Sequence, residues 1–227
     1  MRILSVLIFL LIIACSENSN IQQKTPPVET IDLVAFLDTI WKSEQTPIRR
    51  RDSLMKVHGT ESEEVKIQQE LYKKNHVVNE KKIIEMLDNE GWPDKKIIGE
   101  QGNLTICNVI QHSAIAIRQK YLPMMREAVK ENNLHPRFLA RAEDRLATDR
   151  GELQIYGGQV KFYPETKTFN VWPIFEPENV DKRRAEIGLE PMAEFLSSRR
   201  FQLEWNVEEQ IERTKEFERQ KKLEKQN

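Results

Sequence analysis

The sequence predicts an α+β, mainly α fold: a single domain in which a helical bundle surrounds a buried central helix and carries a small antiparallel β-hairpin. Three observations carry this expectation. Apolar residues recur at three- and four-residue spacing over most of the stretch from Glu29 to Arg150, the period of an amphipathic helix. Within it, Leu104 to Tyr121 is apolar around nearly the whole cylinder, as a helix enclosed by others must be. At Glu152 the texture changes to β-branched and aromatic residues punctuated by glycine and proline, the mark of short strands and turns.

The first element is an address. Arg2, an apolar run from Ile3 to Ala14, and Cys15 directly after a small residue have the form of a secretory signal, and the cysteine resembles the lipid-accepting position of a bacterial lipoprotein. The run is little more than half of the roughly 20 apolar residues that span hydrocarbon, so an acyl anchor on Cys15 is expected rather than a membrane helix. Residues 1–14 are then the signal peptide, and 15–28 the lipidated cysteine and a polar tether. Ser16 stands where aspartate, by resemblance to enterobacterial lipoproteins, would retain the protein at the inner membrane. An exported cell-envelope protein is therefore expected, with the outer membrane favoured and its periplasmic or surface face left open.

The domain proper is expected over 29–198. Ile31, Val34, Phe36, Leu37 and Trp41 start a first helix that Pro47 is expected to break, with a second over Arg49 to Val57. Gly59 interrupts, Thr60 with Glu63 has the form of a capping box, and Val65, Leu71, Val78, Ile84 and Leu87 continue to Gly91, in two helices if Asn79 starts a second. Gly91-Trp92-Pro93 stops this segment. After the central helix, Pro123 and Pro136 fit first-turn positions of helices over Leu122 to Asn132 and Pro136 to Arg150, and Gly151 fits the place just past an end. A hairpin over about 153–173 follows, turning at Pro164 to Thr168, with Gly157-Gly158 marking a bulge or a close backbone approach. Short helices are expected at Glu178 to Ile187 and Pro191 to Ser197. Residues 199–227 form a charged C-terminal helix or tail, in which Val207, Ile211, Phe217 and Leu223 are the apolar positions.

Composition narrows function by exclusion. The 227 residues carry a net charge of −1, or −2 once Arg2 leaves with the signal, so no positive field favours nucleic acid. With Cys15 taken by lipid, Cys107 has no intramolecular partner and reads as a small buried hydrophobe. There is no phosphate-binding glycine loop, no Gly-x-Ser-x-Gly and no His-Glu-x-x-His. The four histidines His58, His76, His112 and His135 share no helix face at ligand spacing, so neither a metal nor a cofactor is expected.

What remains is polar residues in places that should be buried. On the expected central helix Asn108, His112 and Gln119 fall within about 60° of one another with Gln111 beside them. They satisfy one another and nearby backbone, or they line a wet pocket. A second group runs from Asp144-Arg145 through Gln154, Tyr156 and Gln159, with Arg183 and Arg184 beyond.

At these positions the chain resembles an uncharacterised bacterial family, a domain of unknown function. Its pattern runs Gly-Trp-Pro, Gln-His, a later Gln, Leu-Pro, Asp-Arg, Gln-x-Tyr-Gly-Thr-Gln and Arg-Arg-x-x-x-Gly-Leu-x-Pro. Gly91-Trp92-Pro93, Gln111-His112, Gln119, Leu122-Pro123, Asp144-Arg145, Gln154-Ile155-Tyr156-Gly157-Gly158-Gln159 and Arg183-Arg184 through Gly188-Leu189 and Pro191 match in order, with Gly158 in place of threonine. The resemblance covers roughly Asn79 to Leu196 and implies a shared fold and polar cluster but no activity.

Three readings stay open. The first is a non-enzymatic module that binds a small polar ligand or an envelope protein through Gln111, His112, Gln119, Asp144, Arg145, Gln154, Tyr156, Gln159 and Arg184. The second is a hydrolase-like enzyme with His112 as general base, Asp144 orienting it and Arg145 or the backbone N–H groups at Gly157-Gly158 stabilising developing negative charge. The third is a structural envelope protein.

Overall fold

The computed structural model describes residues 32–164, 166–198 and 203–226. The signal peptide, Cys15, the tether, the expected helix start at Glu29 and residues 199–202 lie outside the described residues. Among those described, the helices α1 (Leu33–His58), α2 (Glu63–Glu90), α3 (Lys95–His112), α4 (Ile115–Lys130) and α5 (Pro136–Asp149) precede a two-stranded antiparallel sheet. Its strands β1 (Val160–Tyr163) and β2 (Thr168–Val171) set Val160 opposite Val171 and Tyr163 opposite Thr168. Then come α6 (Val180–Glu186), α7 (Met192–Ser197) and α8 (Val207–Glu224). The fold is mainly α with a small antiparallel hairpin, as the periodicity predicts.

Local chemistry explains most ends. The Asp32 carboxylate accepts from the amides of Val34 and Ala35, both at 3.1 Å, and Asp94 from Lys96 at 2.8 Å, each satisfying donors that a first turn leaves orphaned. Pro136 opens α5 behind His135, whose Nδ1 accepts from the Arg137 amide. Gly91 closes α2 at φ 75° and Gly151 follows α5 at φ 64°, both in the left-handed region that glycine enters without a Cβ clash. The cap of α2 is Ser62, accepting from Val65, and not the Thr60 of the expected capping box.

Pro47 does not break α1. A proline inside a helix leaves the carbonyl four residues earlier without its amide, here that of Ser43, and Asn75 of α2 fills the vacancy with Nδ2 at 2.8 Å. One turn further along α2, Asn79 is buried rather than starting a helix, donating to Ser43 Oγ at 2.8 Å and to Glu44 Oε1 at 2.9 Å. The two long helices are therefore joined by a buried polar layer beside their apolar contact. Pro123 likewise lies inside α4 and not in a first turn.

The expected central helix is two helices. Leu104 to His112 belongs to α3, which is kinked at Gly99, whereas Ile115 to Tyr121 opens α4. Ser113 folds back so that Oγ donates to the Val109 carbonyl at 2.8 Å, and Arg118 Nη1 donates to the carbonyls of Ser113 (2.8 Å) and Gln111 (3.2 Å). Satisfying those carbonyls sideways ends the helix. Ala114, Ile115 and Ala116, expected inside, are exposed.

Apolar burial falls into three groups. Leu37, Ile40, Ile83, Leu87, Ile106, Ile110 and Tyr121 join α1 to α4. Cys107, Met125, Leu134, Phe138 and Leu146 join α3, α4 and α5. Val171, Ile174, Val180, Met192, Phe195 and Leu196 gather the segment after α5. Against this third group lies α8, where Thr214 Oγ1 exchanges hydrogen bonds with the backbone of Ile174 (3.1 and 3.3 Å) and Phe217 meets the Trp172 ring edge-on, centroids 5.4 Å apart. No described helix is long and apolar enough to cross a membrane.

Candidate functional site

Residues 153–159 alternate like a strand but do not form one, since β1 starts at Val160. Asp144, on the inner face of α5 and 0% exposed, organises them instead. Its Oδ1 accepts from the amides of Ile155 (2.8 Å) and Tyr156 (2.9 Å), and its Oδ2 from that of Gly158 (2.7 Å). Burial pushes the Asp144 pKa up, while these three N–H groups and the nearby Arg184 charge oppose the rise. A Cβ at Gly158 would stand 3.0 Å from Oδ2, and one at Gly157, φ 76°, 2.6 Å from Met192 Sδ. The glycine pair is thus the close backbone approach expected of it.

The carbonyl side of the same loop is held by two arginines. Arg184, 1% exposed, donates through Nη1 to the Tyr156 carbonyl at 2.7 Å and through Nε to that of Glu190 at 2.6 Å, with its guanidinium over the Phe195 ring. Arg183 Nε donates to the Ile155 carbonyl at 3.1 Å. Gln154 closes the loop internally, giving Nε2 to the carbonyls of Gln159 (3.0 Å) and Trp172 (2.7 Å) and receiving the Gln159 amide on Oε1 at 2.8 Å. Asp144, Gln154, Tyr156, Gln159 and Arg184 are therefore one connected network, largely spent on backbone.

Beside that network opens a cleft of about 360 Å³ between α5, the 156–158 loop and α7. Leu104, Phe138 and Phe195 form its apolar wall, while Arg137, Arg141 and Tyr156 bring polar groups to it. Arg137 and Arg141 are one turn apart on α5, on one helix face.

The remaining predicted residues lie elsewhere. Gln119 is on α4, where its carboxamide oxygen, oriented by its surroundings, accepts from Arg150 Nη2 (2.8 Å) and Nε (3.1 Å). Gln111 is buried in the last turn of α3. His112 follows it at the surface, yet close to packed protein. Lost hydration first, then the Arg145 charge and those of His76 and Arg141, hold its pKa down to about 4. His112 and Arg145 are thus neighbours, but no hydrogen bond joins His112 to Asp144 among the described residues.

His112 also has aromatic and polar neighbours on α2 that no motif marks. His76 of α2 places its ring edge-on to His112, centroids 6.4 Å apart, and stacks on Tyr72 at 5.7 Å. Its Nδ1 lies 3.2 and 3.3 Å from the two oxygens of Glu44, a carboxylate 4% exposed that also accepts from Asn79. That hydrogen bond raises the His76 pKa and so favours imidazolium. Glu44 and His76 are 32 residues apart, and no spacing rule joins them. Tyr72 and His76 do share a face of α2, four residues apart, which is the one available signal. Cys107 is buried, and desolvation drives its thiol pKa far upward, which keeps it an inert thiol. Among the described residues no group of three or more His, Cys, Asp or Glu is placed to hold a metal ion.

A family model described as a family of unknown function, DUF6624, matches residues 62–203. It spans the Asp144 network, the cleft, His76 and His112, and leaves out Glu44 and α8. No curated protein matches, and no solved structure matches.

Proposed function

Since the chain belongs to the DUF6624 family of unknown function, its own geometry must supply the reading, and we propose that it is a binding module whose cleft takes a small organic anion. The carrying observation is the composition of the cleft, whose volume of about 360 Å³ is in the range of small-molecule sites. Leu104, Leu189, Phe138 and Phe195 supply apolar surface, the two rings lying against the Arg137 and Arg184 guanidinium groups, and Arg137, Arg141 and Arg184 outnumber the carboxylates of Glu190 and of Asp144, the latter spent on loop amides. Guanidinium pairs a carboxylate or phosphate through parallel N–H donors, and the aromatic wall receives the remainder of the molecule. The rigid loop behind it, fastened by Asp144 and Arg184, makes the site pre-formed. Binding is better supported than hydrolysis with His112 as base. Both Asp144 oxygens are occupied by backbone amides, and a histidine with a pKa near 4 is a weak proton acceptor at neutral pH.

The proposal includes the address: export, cleavage before Cys15 and lipid attachment there, which would set the cleft at the outer membrane. Mass spectrometry of the amino-terminal peptide tests this part, and an uncleaved, unacylated terminus refutes it. For the cleft, thermal denaturation of the full chain across aryl and alkyl carboxylates and phosphate esters is the direct assay. A ligand at 100 times its Kd adds about 2.7 kcal/mol. The stabilisation is expected to vanish in Arg137→Gln and Arg141→Gln, whose side chains are at the surface. A library that stabilises nothing, or a ligand indifferent to both variants, refutes the cleft reading.

A further inference from the structure

Helix α2 is apolar on two opposite sides. Val65, Tyr72, His76, Asn79 and Ile83 are its buried and half-buried side, from which His76 and Asn79 reach Glu44 of α1. Half a turn around the same helix, at about 100° per residue, Ile67, Leu71 and Val78 are 60, 44 and 52% exposed. Single apolar residues at a surface need no explanation, but these three keep the four-and-three spacing of a seam between helices, with Glu64, Lys74 and Lys81 on the same line. All six are exposed. Glu64, Lys74 and Lys81 make no ion pair with another described residue, whereas the adjoining Glu63 and Glu70 hold Lys66 and Lys73 at 2.9 and 2.7 Å.

We propose that this outer face of α2 docks a second copy of the chain, antiparallel, about a twofold axis passing between Tyr72 and Lys73. A twofold contact is self-complementary, so that if one residue meets another, the reverse contact forms as well. The order of residues along the stripe satisfies this. Glu64 meets Lys81 of the other copy and Ile67 meets Val78. Leu71 lies along the aliphatic stem of Lys74, whose ammonium reaches Glu70 of the other copy. Acids thus face lysines, and aliphatic groups face one another. A parallel pairing would set Glu64 on Glu64, Lys74 on Lys74 and Lys81 on Lys81, an arrangement that charge repulsion disfavours. An anionic lipid surface fits no better, since Glu64 and Glu85 stand in line with the stripe. Three aliphatic side chains from each copy, along about 25 Å of helix, make a contact at the small end of specific interfaces, so the expected dimer is a reversible one. The cleft is lined from other elements, and the docking face goes beyond the binding reading and does not depend on it.

The test is sedimentation equilibrium of the full chain and of charge-reversed variants, from about 10 µM to about 1 mM. The native chain is expected to show monomer and dimer in exchange. Glu64→Lys sets lysine against Lys81, and Lys81→Glu sets glutamate against Glu64, twice each across the axis. Each variant alone is therefore expected to associate about tenfold more weakly or worse. Mixed one to one, the two variants are expected to recover native association, because every reversed residue then meets its opposite. Both positions are at the surface, and unchanged circular dichroism checks that each variant is folded. A carbodiimide cross-link between Glu64 and Lys81, mapped by mass spectrometry, must join two copies, since one helix holds the pair about 25 Å apart. A chain that stays monomeric throughout overturns the proposal, including one that instead sediments with phosphatidylglycerol vesicles and so assigns the stripe to lipid. Association that ignores both single reversals overturns it as well, as does a mixture that fails to recover.

Discussion

Replacing Asp144 by asparagine probes the feature on which the site depends most. The carboxylate is fully buried and accepts three amides, two on Oδ1 and one on Oδ2. In Asp144→Asn the carboxamide keeps its oxygen toward Ile155 and Tyr156 and turns its NH2 toward the Gly158 amide, setting donor against donor where 2.7 Å now separates donor from acceptor. One orphaned buried amide costs about 1–3 kcal/mol, and the two retained bonds each drop from charge-assisted to neutral, about 1 kcal/mol apiece. Relief of the buried charge offsets part of this. The net expectation is a loss of about 2–4 kcal/mol, a large share of the roughly 5–15 kcal/mol that stabilises a domain. Asp144→Ala, which orphans all three amides, should cost more. Urea denaturation gives both values from the midpoints, and amide hydrogen exchange at Gly158 should accelerate in both proteins. If the two variants match the native midpoint, or if alanine is the milder change, then the buried charge and not the loop amides governs this position, and the reasoning fails.

Gly157→Ala should destabilise by about 2–4 kcal/mol, combining left-handed strain at φ 76° with overlap on Met192; a midpoint within error of native would contradict the close approach. The depressed His112 pKa predicts a pH effect. The unfolded chain protonates near 6.5 and the folded one near 4, so stability is lost as pH falls between those values, by about 1–2 kcal/mol once discounted for solvent at this exposed ring. His112→Gln should remove that slope in acid denaturation curves. Thr214→Val keeps the shape of α8 but strands the Ile174 amide and carbonyl, for which calorimetry should register a loss of about 1–3 kcal/mol; no loss would mean that α8 is a detachable arm.

Much of the architecture was legible because it is written locally. Gly91-Trp92-Pro93, Pro136 and Gly151 each act within a few residues of themselves, and the β-branched and aromatic residues of 160–163 and 168–171 announce their strands by composition alone. What escaped is written across the chain. Pro47 looks like a helix end until Asn75, 28 residues on, supplies the missing donor. The apolar run through Ser113 conceals a break made by the serine's own side chain and by Arg118. Alternation over 153–159 reads as a strand, but only Gln154 bridges a neighbour, Ile174, while Asp144 draws the amides of Ile155, Tyr156 and Gly158 into a loop around a left-handed Gly157. The same division holds for the site. Asp144, Gln154, Tyr156, Gln159 and Arg184 were visible as polar residues among apolar ones and do meet, whereas His76 and Glu44 sit on helices whose surfaces are polar elsewhere and stand out only after packing.

The Ser43–Glu44–Asn75–His76–Asn79 contacts also decide how the long hairpin of α1 and α2 is aligned. Two helices joined by aliphatic residues alone meet almost equally well after sliding by one turn, about 5.4 Å. Here such a slip would strand a carboxylate, an imidazole and two carboxamides in a dry seam at once, so a single alignment survives. Apolar replacements of matched volume at these positions should give a protein that melts higher and yet shows broadened, multiple NMR resonances along both helices, because the vernier that selects one alignment would be gone.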